Sequence, residues 1–116
     1  MLITIIQILL ALMFVMAGLP KFASKQQIEA FETYGYPQWF RIFTGVVEIV
    51  IGLLLIIGIW IHQLAAIGGF LVIATMIGAM FTHIKFKDSF KNMVLPIVLL
   101  IFGGIAFWQN ASALLG

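Results

Sequence analysis

Residues 42–61 read IFTGVVEIVIGLLLIIGIWI, an apolar stretch whose only charged residue is Glu48. An α-helix rises about 1.5 Å per residue, so a stretch of this length spans roughly 30 Å, the thickness of a bilayer's hydrocarbon core. Transmembrane β-strands alternate apolar and polar residues, whereas this run is continuous. The stretch therefore predicts a membrane-spanning α-helix with a carboxyl group inside the membrane.

Three further apolar stretches, each without a charged residue, occupy residues 2–19, 64–82 and 93–108. The 116-residue chain is 64% hydrophobic and 9% charged, with a mean hydropathy of +1.22. Because a soluble domain is about one quarter charged, this composition indicates an integral membrane protein. The sequence predicts an all-α fold, a bundle of four transmembrane helices forming a single membrane domain over residues 1–116. The first stretch lacks the basic start of a signal peptide and is read as a retained helix.

The connection between the first two spans has an amphipathic pattern of its own. Ile28 and Phe31 lie three residues apart, and Glu29 and Glu32 follow them directly. This pattern predicts a short interfacial helix over about residues 25–34, lying in the membrane surface.

The positive charges are distributed asymmetrically along the chain. All six Lys and Arg residues lie in residues 20–41 and 83–92, the first and third connections. With four spans, these two connections lie on the same side of the membrane. The positive-inside rule places them in the cytoplasm and both termini outside the cell membrane. In the third connection, Asp88 or Ser89 is expected to cap the fourth helix.

Glu48 is the strongest candidate for a functional residue. A carboxyl group at the centre of a membrane helix costs about 2–3 kcal/mol, so it should face the interior of the bundle. Gly45 and Gly52, at i−3 and i+4, share its helical face and allow a neighbouring helix to pack closely. An intramembrane carboxyl group indicates a proton- or ligand-binding site, and the structural alternative is a hydrogen bond that joins two helices.

Two other polar residues reach the same depth in the membrane as Glu48. The order and direction of the four spans place Lys21 at the inner end of the first span and His83 at the inner end of the third. Two interpretations are open for each of them. Lys21 either neutralises Glu48 or snorkels to a lipid phosphate. His83 either pairs with Glu48 and relays a proton or faces the headgroups at the interface.

Three more polar residues have simpler interpretations. Arg41 and Lys85 are expected to set the topology and to contact lipid headgroups. Gln7, in the outer part of the first span, is expected to form an interhelical hydrogen bond.

Several kinds of chemistry are excluded by the composition. The chain has no cysteine, which rules out disulfides and iron–sulfur clusters. His62 and His83 are 21 residues apart, about 31 Å along a helix, so they cannot bind one haem together. No metal site, phosphate-binding loop or catalytic triad is recognisable, and the sequence predicts no intrinsic cofactor. The basic side of the membrane is a topology signal and predicts no nucleic-acid partner.

Two motifs resemble the DoxX-like family of small four-helix membrane proteins. The first span ends in Gly18-x-x-Lys21, and the second contains Gly45-x-x-Glu48-x-x-x-Gly52. The resemblance covers nearly the whole chain and carries the family's motif positions to Lys21, Glu48 and His83. It implies a link to quinol oxidase, thiosulfate oxidation or oxidative-stress systems. Distant animal relatives look like membrane chaperones.

These observations leave three hypotheses. The first is a non-haem, non-metal subunit or accessory protein of a redox complex, binding a quinone or similar apolar ligand near Glu48. The second is a membrane assembly factor or scaffold that binds a client protein without catalysis. The third, a proton-coupled small exporter, is disfavoured because such exporters carry their glutamate in the first span. The lipid bilayer is a partner in every case, and glycines in the third and fourth spans would allow a homo-oligomer.

Overall fold

The computed structural model describes residues 2–86 and 91–115, which form a bundle of helices. The long helices are α1 (Leu2–Gly18), α3 (Gln38–Ile57), α4 (His62–Lys85) and α5 (Lys91–Asn110), and the short helix α2 is Lys25–Thr33. No strand occurs within those two ranges. The predicted all-α class is confirmed. The cap expected at Asp88 or Ser89 lies outside the described residues.

Each long helix has the length and hydropathy of a membrane span. Short 3₁₀ turns extend α1 through Leu19–Phe22 and α5 through Ala111–Leu115, and in the described part of the chain four helices are able to cross a bilayer. Their outward faces are apolar, as shown by exposed side chains such as Leu12, Leu53 and Ile101. Such surfaces suit a lipid environment, where apolar side chains need no cover.

The four long helices pack as two close pairs, α1 with α3 and α4 with α5, and α3 joins the pairs by packing on α4. Glycines permit the close approach in both pairs. A Cβ atom on Gly52 would lie 2.5 Å from Val15 Cγ2, and one on Gly103 would lie 2.4 Å from Val72 Cγ1. Real Cβ contacts of this length do not occur, so a larger residue would push the helices apart.

A glycine turn directs the chain from α2 into α3. Gly35 has a φ of +77°, which residues with a side chain rarely adopt. Its N–H donates to the carbonyl of Glu32 at 3.0 Å, and the N–H of Tyr36 donates to the carbonyl of Phe31 at 2.9 Å. This is the Schellman arrangement, which satisfies the last carbonyls of α2 before Pro37 opens α3.

The two ends of the bundle differ in charge. We call the end where α1 finishes and α3 starts the basic end. The opposite end, where α1 starts and α3 finishes, is called the uncharged end because residues 2–16, 49–63 and 106–116 contain no Asp, Glu, Lys or Arg.

Candidate ligand-binding site

An ion pair lies inside the bundle near its basic end. Lys21 Nζ and Glu48 Oε1 are 2.8 Å apart, and their side chains are 14% and 7% exposed. Small residues bring the two together, since a Cβ on Gly45 would lie 3.1 Å from Lys21 Cβ and 3.2 Å from the carbonyl oxygen of Gly18. The end of α1 thus lies directly against α3, and the lysine reaches Glu48 from there.

The two residues of this ion pair differ in the other hydrogen bonds that they make. Lys21 Nζ also donates a hydrogen bond to the carbonyl oxygen of Ala17 at 3.2 Å. Glu48 Oε1 is buried and, within the described residues, accepts no well-aligned hydrogen bond. The carboxylate therefore depends on one ammonium group for its charge compensation and retains capacity to accept a hydrogen bond from a ligand.

Arg41 joins the chain segments that carry the ion pair. The residue is 8% exposed, and its Nη1 donates to the backbone carbonyl of Lys21. Its Nε donates to Gln38 Oε1 at 2.7 Å, and Gln38 Nε2 donates to the carbonyl of Ile28 at 3.4 Å. These bonds join the end of α1, the start of α3 and helix α2.

The expectation that Arg41 contacts lipid headgroups is therefore wrong. A guanidinium group has five N–H donors in a fixed plane, which lets it join several backbone and side-chain acceptors at once. The sequence did contain a signal, because Arg41 lies four and seven residues before Gly45 and Glu48 and so shares their buried helical face. Lys85, in contrast, is exposed.

A cleft of about 870 Å³ opens beside the ion pair, between α2, α3, α4 and the first half of α5. Lys21 and Glu48 form part of its wall. The remaining lining is mainly apolar, including Val47 on α3, Met76 on α4 and Leu95 on α5. A cleft of this size is in the range that holds a small organic ligand, about 300–1,000 Å³.

Aromatic side chains line the part of the cleft formed by α2, the turn after it and the start of α3. They are Phe31, Tyr34, Tyr36 and Phe40. The ring centroids of Tyr36 and Phe40 are 5.4 Å apart with an edge-to-face orientation, and those of Phe31 and Tyr36 are 6.2 Å apart. We call this set the aromatic wall. Its π surfaces suit a flat conjugated ring better than a saturated one.

His83 lines the same cleft as Lys21 and Glu48 and is half-buried on α4. Its neighbour Thr82 shares a hydrogen bond of 2.9 Å with the Tyr36 hydroxyl, which ties α4 to the aromatic wall. The structure thus brings Lys21 and Glu48 into contact and places His83 in the wall of their common cleft.

Gln7 lies at the uncharged end, away from this cleft. Its Nε2 donates to the carbonyl oxygen of Leu55 at 3.3 Å, which joins α1 to α3 and confirms the interhelical hydrogen bond. Its side-chain oxygen accepts a bond of 3.4 Å from Asn110 Nδ2. Sequence reasoning missed Asn110, whose position just after the fourth apolar stretch resembled an ordinary interfacial residue.

The described residues contain no group of three or more His, Cys, Asp or Glu side chains close enough to hold a metal ion. The chemistry available in the cleft is that of one ammonium group, one carboxyl group, one imidazole and several hydroxyl groups in an apolar, aromatic enclosure. Such a site suits an apolar molecule with a flat, polar head.

Comparisons with known proteins agree with the motifs. The profile of a family described as the DoxX-like family matches residues 5–106, a range that includes Lys21, Glu48 and His83. A protein of Bacillus subtilis (strain 168) named "Uncharacterized protein YdgD" is 36% identical over 77 residues, which cover 65% of this chain and 67% of that protein. No solved structure matches the chain.

Proposed function

The chain belongs to the DoxX-like family, and we propose that it binds a quinone or a similar apolar molecule in the cleft beside Glu48. In this proposal the protein is a subunit or accessory protein of a quinone-linked redox or oxidative-stress system in the cell membrane. The observation that carries the proposal is the combination, in one cleft of about 870 Å³, of an aromatic wall with the buried Lys21–Glu48 ion pair.

The chemistry of a quinone fits each part of this cleft. Its flat conjugated ring matches the aromatic wall, and its apolar tail matches the lining from α3, α4 and α5. The carbonyl oxygens of the oxidised form accept hydrogen bonds, for which Lys21 is a donor. The hydroxyl groups of the reduced form donate hydrogen bonds, which the carboxylate of Glu48, as part of the cleft wall, accepts.

The roles of the residues follow from these contacts. Glu48 binds or exchanges the proton of a ligand hydroxyl group, and Lys21 sets the charge of the carboxyl group. His83, in the same lining, relays the proton toward the basic end. Gly45 and Gly52 hold α1 against α3 so that Lys21 reaches Glu48. Electrons are exchanged between the ligand and a partner redox protein.

The proposed orientation places the cleft at the cytoplasmic side, with both termini outside. It rests on the confinement of all six Lys and Arg residues to the connections at the basic end.

The test is native mass spectrometry of protein extracted gently from its own membrane, comparing the wild type with Glu48→Gln. This substitution keeps the side-chain shape and removes the charge. Glu29→Gln is the matched control, because Glu29 also pairs with a lysine, Lys25, but at 4.0 Å on a side chain that is 63% exposed. We expect a small apolar ligand of quinone mass in the wild type and the control, and its loss in Glu48→Gln.

Equal ligand content in all three proteins would contradict the proposal. A co-purifying protein partner with no small ligand in any sample would instead favour a scaffold or assembly factor. In that case Glu48 would be an architectural residue that joins α1 to α3.

A further inference from the structure

A second cleft, of about 540 Å³, lies at the uncharged end of the bundle. We call it the amide cleft, because three side-chain amides line it, those of Gln7, Gln109 and Asn110. The hydroxyl groups of Thr4 and Ser112 and the ring of His62 also line it, beside the apolar Ile3, Ile59 and Ala113. Gln7 and Asn110 are only 3% and 5% exposed, so their amides need hydrogen-bond partners inside the bundle.

A directed chain of hydrogen bonds forms the floor of the amide cleft. Asn110 is 5% exposed, and its Nδ2 donates to the carbonyl of Ala106 at 2.8 Å, which determines the orientation of the amide. The same nitrogen donates to Gln7 Oε1 at 3.4 Å, and Gln7 Nε2 donates to the carbonyl of Leu55. The amide oxygen of Asn110 is left to accept a bond, and His62 Nδ1 lies 3.0 Å from it.

This chain determines which nitrogen of His62 carries a proton. Because the Asn110 oxygen is only an acceptor, Nδ1 of His62 must be the donor, and Nε2 of the neutral ring is then an acceptor. None of the residues that the structure describes forms a hydrogen bond with His62 Nε2. The buried amides therefore hold the imidazole in one tautomer at the edge of the cleft, with an acceptor available for a ligand that donates a hydrogen bond.

The other lining groups define the chemical class of that ligand. Thr4, Gln109 and Ser112 make no side-chain hydrogen bond among the described residues and so offer both donors and acceptors. Among the described residues, no Asp, Glu, Lys or Arg lines the cleft, so their side chains offer a ligand no ionic partner there. Groups that donate and accept hydrogen bonds without charge are matched by hydroxyl groups.

The position of the cleft indicates where such hydroxyl groups come from. Trp60 and Trp108 flank the uncharged end and are 75% and 79% exposed, as expected for side chains at the level of the lipid headgroups. We infer that the amide cleft binds the hydroxyl-bearing headgroup of a membrane lipid, a sugar or a glycerol, with the acyl chains lying along the apolar outer face of the bundle. This site is separate from the cleft beside Glu48.

The experiment measures lipid binding to the purified full-length protein by native mass spectrometry. Diglucosyl diacylglycerol, phosphatidylglycerol and phosphatidylcholine are added in turn, and free maltose is used as a competitor. The test variant is Gln109→Leu combined with Ser112→Ala, whose side chains are exposed and take no part in the hydrogen-bond chain, so folding is preserved. Gln63→Leu is the matched control, since Gln63 is exposed next to His62 but does not line the cleft.

We expect the wild type and the control to bind diglucosyl diacylglycerol and phosphatidylglycerol in preference to phosphatidylcholine. The double variant should bind the glycolipid roughly tenfold more weakly, a loss of about 1.4 kcal/mol, because two hydrogen-bonding side chains are removed from the cleft. His62→Phe should weaken binding in the same direction.

Four results would overturn the inference. Equal binding of all three lipids, or an unchanged glycolipid affinity in the double variant, would show that the amides serve the fold alone. Binding of phosphatidylglycerol without the glycolipid would show recognition of phosphate. Displacement of the glycolipid by an equal concentration of maltose would identify a soluble sugar as the ligand.

Discussion

The unequal support of the Lys21–Glu48 ion pair predicts that removing its two charges has different costs. Lys21→Met leaves a carboxylate whose side chain is 7% exposed and has no other ionic partner in the described structure. Glu48→Gln leaves an ammonium group that keeps its hydrogen bond to the carbonyl of Ala17 and gains a neutral amide oxygen as a neighbour. The lysine substitution is therefore expected to be the more damaging of the two.

The magnitudes follow from the burial of the pair. Breaking a buried pair by removing one partner costs about 3–5 kcal/mol, and we expect Lys21→Met to lower the free energy of unfolding by this amount. Glu48→Gln exchanges a charge-assisted contact for a neutral one and should cost about 1–2 kcal/mol. The double substitution removes both charges and should cost about as much as Glu48→Gln alone. The coupling energy between the two positions is then about 3–5 kcal/mol, the cost of Lys21→Met by itself.

The assay is reversible unfolding in mixed micelles of a mild detergent and dodecyl sulfate, followed by circular dichroism. Lys25→Met is the control, because Lys25 is 90% exposed and its contact with Glu29 is 4.0 Å long. It should change the free energy of unfolding by less than about 0.5 kcal/mol. Additive single effects, or a larger cost for Glu48→Gln than for Lys21→Met, would refute the reasoning and indicate that the ammonium group lies among lipid headgroups.

Three further predictions concern packing, support of the site and orientation. Gly103→Ala should lower the free energy of unfolding by about 1–3 kcal/mol, because its Cβ meets the facing valine at 2.4 Å. Gly104→Ala, with no atom within 4 Å, should be neutral or stabilising by up to about 1 kcal/mol, and equal effects in a micelle unfolding assay would contradict the packing. Arg41→Met should cost about 1–3 kcal/mol through two lost hydrogen bonds and reduce the ligand retained in native mass spectrometry, and unchanged retention would count against its supporting role. Because the chain has no cysteine, Lys25→Cys and Gln63→Cys each provide a single thiol for an impermeant maleimide added to intact cells. Gln63→Cys should react and Lys25→Cys should not, and reaction of Lys25→Cys alone would show that the proposed orientation is wrong.

The candidate site shows why the depth of a residue in the membrane is easier to predict from sequence than which residues it contacts. Four apolar stretches and their order place Lys21, Glu48 and His83 at one end of the bundle. Which of them touch depends on the rotation and separation of the helices. The close approach of α1 to α3 at Gly45 brings Lys21 to Glu48, whereas His83 lies on a different helix, in the wall of the same cleft.

Arg41 and Asn110 illustrate the same difficulty. A basic residue at the start of a span and an amide at the end of one are ordinary interfacial residues by sequence. Both are buried in the structure. Arg41 donates to the backbone carbonyl of Lys21 at the end of α1, and Asn110 donates to the side-chain oxygen of Gln7 on α1. Neither acceptor is near in sequence, since they are 20 and 103 residues away.

The sequence by itself determined the properties that depend on composition and local spacing. Long apolar runs require helices in lipid, since only a helix satisfies its own backbone hydrogen bonds there, and four such runs determined the fold class. The glycine and glutamate motifs indicated the family and the helix that carries the site. Only the tertiary structure decided that Lys21 pairs with Glu48, that the aromatic wall lines one side of the cleft, and that a chain of polar side chains lies at the opposite end. Each of these depends on contacts between helices, which are set by how side chains of distant segments pack.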